Sequence, residues 1–370
     1  MASILAITCS MSLTFTAAQA EETDLKRELL NLKNKIERLE KSQLAMEEKR
    51  KPTLDNIYFS GLIEVEAGYI AGPDGDESDI VVATVELGIE AQVNPWVNGQ
   101  VLVLFEEDET DPPEIDEAII TIANPNASPW SLAAGRLYVP FGNFDSVAIS
   151  DPLTLEIGET RETAVQLGYI ANGFHALSYF FNGDTNEGDS DNIDDYGFAL
   201  GYSHEGGERA LGYDLGASWI SNLGDSDSLQ DTVTDPDNLE NTVGGWGLHA
   251  KLNWSDLALI AEYLSAAESF DSADLAFAGS GAKPRAWNIE LDYGFKIADR
   301  EAELAIAWQQ SDEALALELP QTRMLASLSM GIYKNTALAI EYIHDEDYDA
   351  KDGGSDEDTD IITIQLALEF

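Results

Sequence analysis

After its N-terminal residues, this 370-residue sequence has no long uninterrupted apolar run. A membrane-crossing helix needs about 20 such residues, so a helical membrane protein is excluded. A transmembrane barrel is not, because only alternate strand residues meet lipid and average hydropathy stays near zero; the mean hydropathy here is −0.18. Cysteine is almost missing. Its one copy, Cys9, lies in the apolar stretch 4–18, so no disulfide framework is expected beyond it. Basic residues are scarce, 20 against 69 acidic ones, for a net charge of −49. Such a surface repels nucleic acid, whose binding rests on Lys and Arg, and that partner is excluded. Histidine occurs four times, at His175, His204, His249 and His344, without metal-ligand spacing or a nucleophile motif nearby. No enzyme and no resident cofactor are expected.

The charge is unevenly spread. Residues 21–54 hold 9 basic and 8 acidic groups, which leaves 11 basic and 61 acidic residues for 55–370. Before that boundary, the apolar stretch 4–18 runs into Ala18-Gln19-Ala20, a small-residue cleavage pattern, so residues 1–20 read as a signal peptide. From Leu25 apolar residues recur at Leu29, Leu32, Ile36, Leu39 and Met46. This 4,3 spacing marks a coiled-coil seam over 21–51, stopped by Pro52. One helix cannot bury its own seam, so either self-association or folding back onto a neighbouring surface is expected.

After Asn56 the apolar period changes to two. Phe59, Gly61, Ile63, Val65, Ala67 and Tyr69 make one face, and Ser60, Glu64, Glu66 and Gly68 the other. Sixteen such segments begin near residues 57, 79, 96, 114, 130, 162, 174, 195, 211, 244, 256, 285, 301, 322, 335 and 360. Those near 114, 130 and 174 alternate poorly, which leaves fourteen or eighteen strands open. Short turns such as Asn172-Gly173 alternate with long connections such as 139–161 and 221–242, the loop rhythm of an all-β transmembrane antiparallel barrel spanning 55–370. The last segment ends Leu366, Leu368, Phe370 on its apolar face. This ending resembles the signal by which bacterial outer-membrane barrels are recognised for insertion. It implies a Gram-negative outer membrane, with the barrel assembly machinery, lipids and lipopolysaccharide as partners.

One motif is sharper. Gly135-Arg136-Leu137-Tyr138-Val139-Pro140-Phe141-Gly142 resembles a G-[KR]-x-Y-V-P-F-G signature of LbtU-type siderophore porins and, more distantly, of phosphate-selective porins. The resemblance implies an outer-membrane porin that takes up a ferric siderophore or other small solutes, and, by analogy with trimeric porins, a homotrimer. It also implies that the third long connection folds inward as the constriction. That loop carries Asp145, Asp151, Glu156 and Glu159, with Arg161 at its end.

A barrel this wide holds water, and its selectivity depends on what narrows it. On the polar strand faces, Glu64, Glu66, Glu86, Glu90, Glu290, Asp292 and Glu341 outnumber cations such as Arg323. Carboxylates there concentrate cations, so a cation-preferring diffusion porin is an alternative to siderophore uptake. A phosphate channel would need rings of Arg and Lys. Aspartate-rich stretches such as 74–79 and 191–195 are candidates for loosely bound divalent cations. A third reading is structural, with the coiled coil anchoring the outer membrane to the cell wall.

Overall fold

The computed structural model describes residues 56–370 except 74, 108, 109, 111, 189–191, 208 and 209. The expected signal peptide and coiled coil lie outside the described residues. The first half of the wall is β1 (Ile57–Gly72), β2 (Gly75–Asn94), β3 (Val97–Phe105), β4 (Glu114–Ala123), β5 (Trp130–Tyr138), β6 (Arg161–Ala171), β7 (Phe174–Phe181), β8 (Asp195–His204) and β9 (Gly212–Ile220). The second is β10 (Gly245–Trp254), β11 (Leu257–Ala266), β14 (Arg285–Ile297), β15 (Arg300–Asp312), β16 (Thr322–Tyr333), β17 (Thr336–Glu346) and β18 (Asp358–Glu369). These sixteen strands close into one antiparallel barrel in chain order. The tiny hairpin β12 (Ala276–Phe277) and β13 (Ser280–Gly281) decorates a long loop. Two short helices, α1 (Leu153–Gly158) and α2 (Asp227–Thr232), also sit in loops.

Closure joins the two ends of the barrel chain. Leu62 faces Glu369 across the β1–β18 seam, and Gly61 and Phe370 exchange both backbone hydrogen bonds, at 2.9 and 3.0 Å. No edge remains, which hydrocarbon requires because it offers no partner to a free amide or carbonyl.

The alternation is inverted relative to a water-soluble protein. On β14, Ile289 and Leu291 are 47% and 48% exposed while Asn288 and Glu290 are buried. The same holds for Ile306 and Trp308 against Gln309 on β15, and for Ile340 and Tyr342 against Glu341 on β17. A surface band of apolar side chains over a polar interior is stable in lipid and would aggregate in water. Aromatic pairs such as Trp287–Trp308, Tyr196–Trp219 and Trp246–Tyr263 gather on this wall.

Short turns use the chemistry such turns demand. Asn172 and Gly173 both take positive φ (54° and 82°), as a two-residue turn between twisted strands requires. The poor alternation near residue 114 also has a physical cause. Leu102 pairs with Glu117 and Val103 with Ile115, so Asp116 is an extra residue in β4, and a bulge of this kind shifts the period by one.

Candidate constriction loop and channel wall

The motif at 135–142 turns the chain out of β5 and into the barrel. Gly135 has φ +144°, and a Cβ there would stand 1.9 Å from the Ala118 carbonyl oxygen, so only glycine fits. Tyr138 donates to Asp116 at 2.9 Å. Pro140 follows in the bend, and Phe141 is fully buried. Gly142 has φ +80°, and its missing side chain leaves room for the Phe144 ring. Arg136 is half-buried and lies close enough to Asp227 to offset its charge.

Residues 139–160 then cross the interior, held by side chains of the far wall. Ser218 on β9 accepts from the Gly142 amide at 3.1 Å. Glu262 on β11 accepts from the amides of Asn143 (2.7 Å) and Phe144 (3.1 Å) and from the Thr154 hydroxyl (2.8 Å). Glu290 on β14 accepts from Ser146 Oγ and the Val147 amide, both at 2.8 Å. Glu341 on β17 takes the amides of Ile149 (2.8 Å) and Ser150 (3.1 Å). On the return, Gln309 on β15 accepts from the Leu153 amide at 3.0 Å. Each carboxylate receives two or three donors, which makes a buried charge tolerable and satisfies a loop backbone with few bonds of its own.

Apolar packing completes the attachment. Phe141, Leu153 and Ile157 join Tyr179, Phe181, Ile220, Leu223 and Leu264 in one buried cluster. The loop after β9 contributes to it, and Ser228 of α2 donates to Glu156 at 2.9 Å.

These contacts sort the residues singled out in the sequence. Glu290 and Glu341, expected along the open channel, are instead buried beneath the loop, which supplies the donors that water would otherwise provide, and Asp292 is buried as well, with one carboxylate oxygen lacking a partner. Glu64, Glu66, Glu86 and Glu90 lie on β1 and β2 and remain half-exposed. There Glu66 accepts from Gln365, and Glu90 from Asn98, at 2.9 and 2.8 Å. Asp151, at the loop's far reach, is exposed and close enough to Glu64 for their charges to repel.

Three of the cations hold carboxylates. Arg161 holds Asp116 at 2.5 Å and Glu114 at 2.8 Å, Lys251 holds Asp145 at 3.0 Å, and Arg323 forms a two-pronged bond to Asp345 at 2.8 and 2.9 Å. Glu159, at the end of α1, has its carboxyl raised to about 7 by burial and by the negative charges of Asp227, Asp151 and Asp116. Glu262, Gln309 and Ser218 were not singled out as site residues from sequence. The period of two places them on the inward face, but nothing local shows that a loop lies over them.

No family model matches the chain. A UPF0422 protein of Coxiella burnetii (strain RSA 493 / Nine Mile phase I) is 35% identical over 306 residues, 80% of this chain and 66% of the relative. UPF0422 proteins of Legionella pneumophila strains Lens and Paris are each 30% identical, over 80% of this chain and 60% of the relative. Its homologues are UPF0422 proteins. The chain spans less than two thirds of the length of these curated relatives.

Among solved structures, the anion-selective porin from Comamonas acidovorans superposes with a TM-score of 0.60 at 13% identity, over 85% of this chain and 99% of that one. Salmonella typhi OmpF, in complex with daunomycin, gives 0.58 at 14%, over 85% and 98%. DcaP of Acinetobacter baumannii gives 0.57 at 15%, over 85% and 97%. The fold of the described chain is therefore that of the outer-membrane porins. With its outward apolar band, the barrel is a protein of the Gram-negative outer membrane.

Proposed function

We propose that this protein is a diffusion channel favouring small hydrophilic cations. The observation that supports it most is the unequal fate of charge around the constriction. Asp151 on the loop lies close to Glu64, whose neighbours on β1 and β2 include Glu66, Glu86 and Glu90, and Arg161, Lys251 and Arg323 are each bound to carboxylates. Carboxylates at a narrow, partly desolvated passage raise the local concentration of cations and repel anions. The sign is not a property of the fold, since a porin described as anion-selective shares it. The reversal potential of single channels across a salt gradient tests this reading, and clear anion preference would overturn it.

Uptake of a ferric siderophore rests on the motif at 135–142. Of the three cations that would receive an anionic siderophore, Arg136, Arg161 and Arg323, the last two already hold carboxylates, which weighs against it. Iron-limited growth of a deletion strain, with and without siderophore, separates the two. A homotrimer is proposed alongside, supported by a neighbour of the same fold, Vibrio cholerae OmpT, described in a trimer form. The anchoring reading depends on residues 21–51, and deletion of that segment with unchanged permeability but a weakened envelope would favour it.

A further inference from the structure

The long-loop rim holds a second charged assembly, which the channel does not use. Asp225 ends the short turn Leu223–Asp225, whose start is capped by Asn222 accepting from the Gly224 amide at 3.1 Å. Its carboxylate is 0% exposed. Oδ1 accepts from the amide and hydroxyl of Thr185, both at 2.8 Å, while Oδ2 has no partner. Asp195, at the start of β8, is also buried and accepts from Ser221 Oγ at 2.9 Å. The two carboxylates are within hydrogen-bonding reach of one another. The Ser226 hydroxyl, next in the chain, is buried without a partner as well. Asp184 and Asp194 add negative charge around the pair, and among the described residues neither carboxylate has a basic partner.

Two desolvated carboxylates in contact cannot both be ionised unless a proton or a cation lies between them. A proton would offset one charge and leave the rest of the acidic surroundings uncompensated. A hard divalent cation offsets two and uses oxygen ligands of the kinds gathered here: carboxylate, hydroxyl and backbone carbonyl. We propose that Asp195 and Asp225 form a calcium site that clasps the loop after β7 to the loop after β9. Among the described residues fewer than three acidic, histidine or cysteine side chains converge there, so hydroxyl or carbonyl oxygens complete the shell. The aspartate-rich stretch 191–195 supplies one ligand, and the fold brings the other from thirty residues away.

The full chain, folded in detergent without lipopolysaccharide and stripped with chelator, provides the test. Calcium titration by calorimetry is expected to show one saturable site and to raise the thermal midpoint. Asp225→Asn and Asp195→Asn should each weaken binding by at least about tenfold, while Asp76→Asn on an exposed strand end should leave it unchanged. Terbium provides a second readout on the unaltered protein, because Tyr196 adjoins Asp195 and packs at a tilt against Trp219, and calcium should quench the sensitised emission by displacement. Absence of saturable binding would overturn the proposal. So would an Asp225→Asn variant that is more stable regardless of calcium, the result a shared proton predicts.

Discussion

Two stretches of this barrel wall carry the same kind of acidic side chain, yet they treat their carboxylates oppositely. On β11, β14 and β17, Glu262, Glu290 and Glu341 are buried and each receives paired donors from the constriction loop. On β1 and β2, Glu64, Glu66, Glu86 and Glu90 stand half-exposed. A carboxylate facing a backbone becomes a fastener, whereas these keep part of their surface open. The residue type and the inward face are the same, and what lies against the carboxylate differs.

The largest expected effect breaks the fastened wall. Glu262→Ala leaves the amides of Asn143 and Phe144 and the Thr154 hydroxyl without their acceptor, and one buried unsatisfied group costs about 1–3 kcal/mol. We expect loss of several kcal/mol of loop attachment, read as protease cleavage within 139–160 and as noisy, enlarged conductance. A silent, protease-resistant variant would show that apolar packing alone holds the loop.

On the water-facing wall, Glu64→Gln with Asp151→Asn should do the reverse. Barrel stability should change by about 0.5 kcal/mol or less, while the reversal potential moves towards zero. If cation preference survives unchanged, the selectivity lies elsewhere.

Glu159 sharpens the contrast through pH. Its folded carboxyl titrates at about 7, above its ordinary value of 4.5. The unfolded chain therefore loses this proton first, and the group's favourable contribution is full below about 4.5 and lost as pH rises through about 7. Cation preference should increase over the upper part of that range as the carboxylate forms. Reversal potentials between pH 5 and 8 check this, and Glu159→Gln should flatten the curve.

The smallest effect is expected at Lys251, whose partner Asp145 is also partly exposed. Lys251→Gln should cost less than about 1 kcal/mol and shift the reversal potential slightly towards greater cation preference.

Much of this architecture was legible from the chain. The sixteen segment starts fall within a few residues of the observed strands because a lipid-facing wall forces apolar residues onto every second position. The bulge at Asp116 and the positive φ of Gly135 explain why the segments near 114 and 130 alternate poorly. The helices α1 and α2 and the hairpin β12–β13 went unread, being too short for a periodic signal. The inward loop was expected from a resemblance, but not its fasteners.

By itself, then, the sequence pointed to a barrel of about sixteen strands, their order along the chain and the face that the well-alternating ones present to lipid, since all of these depend on local alternation and turn chemistry. Only the tertiary structure decided which acids are fastened and which meet water. It also decided that Asp195 and Asp225 touch. Those outcomes depend on groups 30 to more than 190 residues apart, such as Ser150 and Glu341, meeting across the closed interior, and no local pattern encodes what lies on the far side.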